Sequence, residues 1–182
     1  MKRPQIIGLA AALCLSVTIT AAAIPHGPHP AISQGPIQRA TGPQYPNPNL
    51  TPGVADPSIT EAVVTSPNFT TRNFRDVPDS EKKADAKEYG VDWSQHSLYE
   101  FDHFISIEIG GSNDIKNLWP EPLHLNVNGF DEGAKTKDRI EDVLGRLVHV
   151  GTISLVEAQQ EITTDWVAAY KQRIGPLPRF GS

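Results

Sequence analysis

The sequence predicts a single α+β domain behind a Pro-rich arm, and three features predict it. Residues 97–109 mix aromatic and β-branched side chains and close on Gly110-Gly111, as a strand entering a hairpin or loop does. From Ala134 onward, Ile140, Val143, Leu144 and Leu147 follow the i, i+3, i+4, i+7 spacing of an amphipathic helix. Ser154 and Glu157 form a capping box ahead of a second apolar stripe, Leu155, Ala158, Ile162 and Trp166. The 182 residues suffice for one core of this kind; with the N-terminal segments set aside, too little chain remains for a second.

The chain opens Met1-Lys2-Arg3, runs mainly apolar over 6–19, and reaches Thr20-Ala21-Ala22-Ala23, which puts small residues just before a cut after Ala23. That is the plan of a signal peptide over 1–23, and it implies a secreted, extracellular mature protein. A membrane anchor is the alternative, but an apolar run of about 14 residues falls short of the roughly 20 that cross a bilayer, so no membrane attachment is expected after cleavage. Leu13 is too large for the small residue that precedes a lipidated cysteine, which removes Cys14 as an anchor point.

Residues 24–58, from Pro25 to Pro57, interleave proline with Gly, Asn, Gln and Thr and carry no apolar period. Such a segment cannot bury enough surface to offset its ordering, so a disordered linker is expected, with a wall or partner tether as its functional alternative. His26 and His29 belong to that composition. The domain then spans 59–175, with a tail over 176–182. At its start, Asp79 and Ser80 can cap a charged helix that ends near Gly90. Asn49-Leu50-Thr51 and Asn68-Phe69-Thr70 fit the N-glycosylation triplet.

Sixteen Lys and Arg stand against 21 Asp and Glu, and loss of Lys2 and Arg3 with the leader leaves 14, a net charge of about −7. This acidity counts against tight, processive DNA binding, though not against an enzyme that cuts and releases. Cys14 leaves with the leader as well. The mature chain therefore has neither disulfide nor Cys-ligated zinc, and any metal would fall to His, Asn or carboxylates.

Chemistry concentrates in residues 99–120, where Glu100, Asp102, His103 and Glu108 interrupt a strand-like apolar run. Unpaired buried charge is costly, so a purely structural strand would not place them there. Phosphodiester hydrolysis needs a divalent cation on the phosphate and a base for the attacking water. Asp102 is a hard oxygen ligand suited to Mg²⁺, and His103 can accept a proton near neutral pH. Asn117, past the glycines, is in place to fix the imidazole by a hydrogen bond. The bland alternative is a hydrogen-bonded pair at a strand end, with Asn117 satisfying loop backbone groups.

Glu100 to Gly111, then Asn117-Leu118-Trp119-Pro120-Glu121-Pro122, then Gly133-Ala134 with Lys137-Asp138, make an ordered set that resembles the HNH endonuclease family, in particular small exported HNH-like proteins. The likeness covers most of residues 85–170. It implies a ββα-metal core with additional helices, Mg or Mn as cofactor, nucleic acid as a transient substrate, Asp102 as metal ligand, His103 as general base and Asn117 as its orienting residue. The pattern departs on the helix, where the family's metal-binding His or Asn, three residues before the lysine, is Ala134 here. His124 is the preferred substitute, ahead of Asn126, Asn128 and Asp138. Related sequences carry a cysteine pair where Ser66 and His149 stand.

Lys135, Lys137 and Arg139 could meet phosphate, although charges on a helix face usually meet only water. Trp119 is expected to anchor the loop, and Glu108 and Glu121 to serve as supporting or surface acids. The sequence thus points to a secreted metal-dependent nuclease of low sequence specificity, there being no recognisable base-reading module. Its rivals are a non-catalytic secreted binding or effector protein on an HNH-like scaffold and a wall-associated structural protein. No protein partner is indicated.

Overall fold

A computed structural model describes residues 45–182, so the expected signal peptide and the expected linker up to residue 44 lie outside the described residues. The fold is mixed α+β, with helices α1 (Glu61–Val64), α2 (Asp79–Glu88), α3 (Ala134–His149) and α4 (Leu155–Arg173). Strands β1 (Tyr99–His103) and β2 (Leu118–Pro122) form one antiparallel pair, and β3 (Asn126–Val127) and β4 (Phe130–Asp131) another. Among the described residues no helix is long and apolar enough to cross a membrane.

Within 97–109, read as strand, turn and loop, the strand covers Tyr99–His103. The ladder is replaced beyond it: Phe104 N–H donates to the Asn117 carbonyl at 2.7 Å, and Ile105 N–H to the Asn117 side chain at 3.0 Å. A 3-10 turn at Ile107–Ile109, capped by Ser106, then leads into the two glycines. Gly111 is required by close approach, since a Cβ at this position would stand 1.7 Å from the Ile105 carbonyl oxygen. Pro120 and Pro122 withhold two amide donors from β2, which suits a strand of a two-stranded sheet.

The two predicted long helices form, and their stripes build the core: Ile140, Leu144, Ala158, Ile162 and Trp166 are all fully buried. Ser154 caps α4 by accepting from Glu157 N–H at 3.1 Å. Within α4 the backbone breaks at Asp165 (φ −164°, ψ 90°), whose carboxylate accepts from Ala168 N–H at 2.9 Å and so caps the second half. Helix α2 begins after Pro78, so Asp79 lies in its first turn and the cap position is Pro78.

Two corrections concern the ends of the domain. Residues 45–58, expected as linker, are bonded to it. Thr51 Oγ1 donates to the Leu118 carbonyl at 2.7 Å, Ser112 N–H to the Val54 carbonyl at 2.9 Å, and Asp56 N–H to the Gly110 carbonyl at 2.8 Å. Extended, proline-rich chain buries little side chain but can still lay its peptide groups along a loop that has spare partners. The expected tail over 176–182 likewise pairs with β3 and β4, through Asp131 N–H to the Pro178 carbonyl and Phe180 N–H to the Gly129 carbonyl, both 3.0 Å, and buries Leu177.

Candidate active site

Strand alternation decides where the expected pair goes. In the β1–β2 register Asp102 faces Trp119 and Glu100 faces Glu121, so these four share one face; Tyr99, Phe101 and His103 take the other. Asp102 and His103, neighbours in sequence, therefore enter different environments.

On the Asp102 face the partner is α3. The Lys137 ammonium, 1 % exposed, donates to Asp102 Oδ2 at 2.6 Å, to the His103 carbonyl at 3.3 Å and to Glu141 Oε1, with Glu121 Oε2 at 3.8 Å. All three ammonium protons are used. Burial pushes Asp102 up, but the charge and hydrogen bond of Lys137 reverse this and hold it below the usual carboxylate range. Burial also raises Glu121 well above that range and Glu141 to about 8, with the Asp102 charge adding to both against the pull of Lys137. One ammonium is thus shared among three buried carboxyl groups, of which Asp102 is the one it holds in the ionised form. Protonated Glu121 can donate to Asp102, giving an otherwise unpartnered carboxyl its bond.

On the other face His103 is held by Asn113. Asn113 Nδ2 donates to the Phe74 carbonyl at 2.6 Å and its Oδ1 accepts from Asp76 N–H at 3.2 Å, which fixes the amide orientation. The same Oδ1 lies 3.1 Å from His103 Nε2, so Nε2 carries the proton and Nδ1 keeps a bare lone pair. Nδ1 is buried without a hydrogen-bond partner. Burial lowers the pKa of the ring below the ordinary histidine value, with the Arg75 and Lys137 charges acting in the same direction against Asp102 and Asn113. His103 is thus an oriented, buried ring beside a cavity of about 630 Å³, which Arg75, Lys82, Trp93, His96, Tyr99 and Phe101 also line.

Two more features mark that cavity. His96 Nδ1 donates to the Trp93 carbonyl at 2.8 Å, and its ring stacks on Trp93 with centroids 4.8 Å apart and planes 11° apart. Lys82 pairs with Asp79 at 3.6 Å, whereas Arg75 makes no ion pair among the described residues. Asp76, Asp79 and Glu100 also contribute, so the wall carries both signs of charge.

The remaining expected residues scatter. Asn117 does not reach His103: it accepts from Ile105 and Val54 N–H and donates to the Ile105 and Ser112 carbonyls, locking the loop. Its place beside the imidazole is taken by Asn113. His124 Nδ1 meets Asp131 Oδ2 at 2.5 Å at the β3–β4 hairpin. Lys135 pairs with Glu100 at 3.1 Å and Asp138 at 3.3 Å, and Arg139 lies 5.5 Å from the Tyr170 ring centre. Lys137 is buried and cannot touch a polymer, and Trp119, fully buried, anchors the hairpin as expected. His149 ties the end of α3 to the Val64 carbonyl at 3.0 Å, two residues from Ser66.

The chain matches no family model, no curated protein and no solved structure.

The divalent ion implied by the HNH resemblance does not fit these donors. Asp102 Oδ2 is committed to Lys137, whose ammonium already supplies positive charge between hairpin and helix, and Ala134 offers no ligand. Asn113, which holds His103, lies within the 99–120 stretch; Arg75 and His96 lie outside it, and only the fold brings them to the cavity that His103 lines.

Proposed function

We propose that this is an exported, nuclease-like protein that takes a phosphodiester into the His103 cavity, on a hairpin-and-helix arrangement similar to the HNH core. The observation that carries the reading is the orphaned His103 Nδ1. A buried acceptor without a partner costs about 1–3 kcal/mol, and this one has its tautomer fixed so that only a proton donor can satisfy it. A water or hydroxyl group meets that need, and an imidazole kept neutral by burial can take its proton. Arg75 is the cation for the phosphate, close enough to His103 to depress its pKa. Trp93 and Phe101 offer aromatic surface to a base, and sequence preference is low.

No step is assigned to a metal on Asp102. A second reading, a non-catalytic binding or effector protein on the same scaffold, is favoured by the Lys137 cluster, which fills the position of the expected ion. Incubating purified mature protein with plasmid and with a labelled RNA, in Mg²⁺, Mn²⁺ or chelator, separates the two. Cleavage by wild type and its loss in a folded His103→Ala protein supports the first; no cleavage of either polymer in any condition leaves the second.

A further inference from the structure

The cavity wall carries charges of both signs, and most of them are paired. Lys82 meets Asp79 at 3.6 Å, and Glu100 meets Lys135 at 3.1 Å. Arg75 and Asp76, consecutive in sequence and both on that wall, make no ion pair and no side-chain hydrogen bond among the described residues, with each other or with any other group. Their backbone, by contrast, is pinned. Arg75 N–H donates to the Thr71 carbonyl at 2.9 Å and Asp76 N–H to Asn113 Oδ1 at 3.2 Å, while Asn113 Nδ2 donates to the Phe74 carbonyl at 2.6 Å. A guanidinium and a carboxylate are thus carried by a fixed turn, and both residues are exposed, so water serves them until a ligand takes its place.

The same wall carries a stack of rings. His96 lies on Trp93 with centroids 4.8 Å apart and planes 11° apart, and its Nδ1 donates to the Trp93 carbonyl at 2.8 Å, which keeps the ring in the stack. Lys83 stands 5.3 Å from the Trp93 ring centre, and His96 is exposed, so the imidazole is the end of the stack that a further ring can reach.

A ligand that answers these features carries an anion for Arg75, a flat ring for the stack and two adjacent hydrogen-bond donors for the two oxygens of Asp76. Among the bases only guanine presents such a donor pair, N1–H beside the 2-amino group. Adenine and cytosine place a ring acceptor beside their amino group, and uracil and thymine flank their N–H with carbonyl oxygens, so each would turn a lone pair toward the carboxylate. In a duplex the guanine edge is already paired, which restricts the ligand to a single strand or a free nucleotide.

We infer that the cavity binds an unpaired guanine nucleotide, with Asp76 reading the base edge, Arg75 holding the phosphate and His96 stacking on the ring. The inference rests on the reading of this cavity as a nucleic-acid site and adds the base and the strandedness; one base read per strand keeps the overall sequence preference low. It assigns no proton transfer to any of the three residues. The volume of about 630 Å³ lies within the roughly 300–1,000 Å³ of small-ligand sites.

The test is calorimetric titration of the mature protein, in chelator, with guanosine, adenosine, cytidine and uridine 5′-monophosphates. The guanine nucleotide should bind about ten-fold or more tighter than the other three, and inosine 5′-monophosphate, which lacks the 2-amino group, should fall between. Asp76→Asn should weaken the guanine nucleotide about ten-fold or more and the adenine nucleotide by less than about two-fold. Arg75→Gln should weaken every nucleotide and leave guanosine, which has no phosphate, unchanged; His96→Ala should weaken all of them by about five-fold or more. All three side chains are exposed, so each variant should keep the wild-type Tm. Equal affinity for the four nucleotides, equal losses for guanine and adenine in Asp76→Asn, or no binding at millimolar nucleotide would overturn the inference. Binding of free phenylalanine but of no nucleotide would assign Arg75 and Asp76 to a zwitterion and overturn it too. Cleavage of single-stranded RNA or DNA without bias for guanine would overturn the inference and leave the nuclease reading standing, whereas selective guanine binding without cleavage of either polymer would do the reverse.

Discussion

The Lys137 ammonium stands 2.6 Å from Asp102 Oδ2, between hairpin and helix, where the sequence led to a divalent cation. Removing one member of such a pair strands a buried charge, at a cost of about 3–5 kcal/mol. Lys137→Met should destabilise by about that much in urea unfolding. The double variant with Asp102→Asn should recover most of the loss, and additivity of the two single effects would show that the pair does not couple.

Because that ammonium occupies the cation position, Mg²⁺ or Mn²⁺ should find no strong site beside Asp102. Titration to millimolar concentration should leave the Tm of wild type within about 1 °C. A ligand present at a hundred times its dissociation constant would add about 2.7 kcal/mol, a shift of many degrees in a domain this size. A rise of that kind, abolished by Asp102→Asn, would mean that Lys137 gives way to an ion.

The parts of the fold legible in the sequence are those set by local periodicity. Ile140 and Leu144 announced one helix, Ser154 and Glu157 the start of another, and both appear where expected. The candidate site was legible only as a segment, because strand alternation sends neighbouring residues to opposite faces and Asp102 and His103 cannot be read as a unit without their partners. Asn113 and Asn117 are chemically alike and four residues apart; which one meets the imidazole depends on how the loop folds back over Ile105. Arg75 and His96 reach the cavity through tertiary packing, and no local pattern points to either. Residues 45–58 misled for a related reason, since composition reports side-chain burial and is silent on peptide groups that find partners.

The contribution of Asp85 to stability should fall as pH rises through the weakly acidic range. Burial on α2, with the charges of Glu88 and Glu81, raises Asp85 to about 7, whereas the unfolded carboxyl titrates near 4. Between those values the folded protein holds a proton that the unfolded chain has released, so the penalty grows from about pH 4 and levels off above about 7. Three pKa units correspond to about 4 kcal/mol at most. Asp85→Asn should raise the Tm at pH 8 by several degrees and leave it nearly unchanged at pH 4.5; an equal rise at both would rule out titration as the cause.

Two glycines should respond very differently to alanine. At Gly111 the new methyl group would lie 1.7 Å from the Ile105 carbonyl oxygen, a clash that no rotamer relieves, and the Asn117 lock sits against the same residue. Gly111→Ala should fail to give soluble folded protein. Gly90 has open space around it and only its φ of +70° to hold, so Gly90→Ala should fold and lose about 1–2 kcal/mol. Soluble Gly111→Ala protein with wild-type Tm would contradict the packing of the loop.

Under the proposed nuclease reading, Asn113 acts through His103 as a positioning residue. Asn113→Ala removes the acceptor that fixes the tautomer and loosens the turn carrying Arg75, so cleavage should drop about ten- to a hundred-fold with the fold retained. Asn113→Asp keeps the acceptor for Nε2–H and for Asp76 N–H, but adds a negative charge to the Arg75, Lys137 and Asp102 charges that already act on the ring. An anion favours the imidazolium, so the pKa of His103 rises and the base is protonated at higher pH. Asn113→Asp should therefore keep more activity than Asn113→Ala near pH 8, with the acid limb of its pH–rate profile moved upward. A fall in rate with the limb unmoved would mean that Asn113 holds only the loop, and that the imidazole finds its orientation without it.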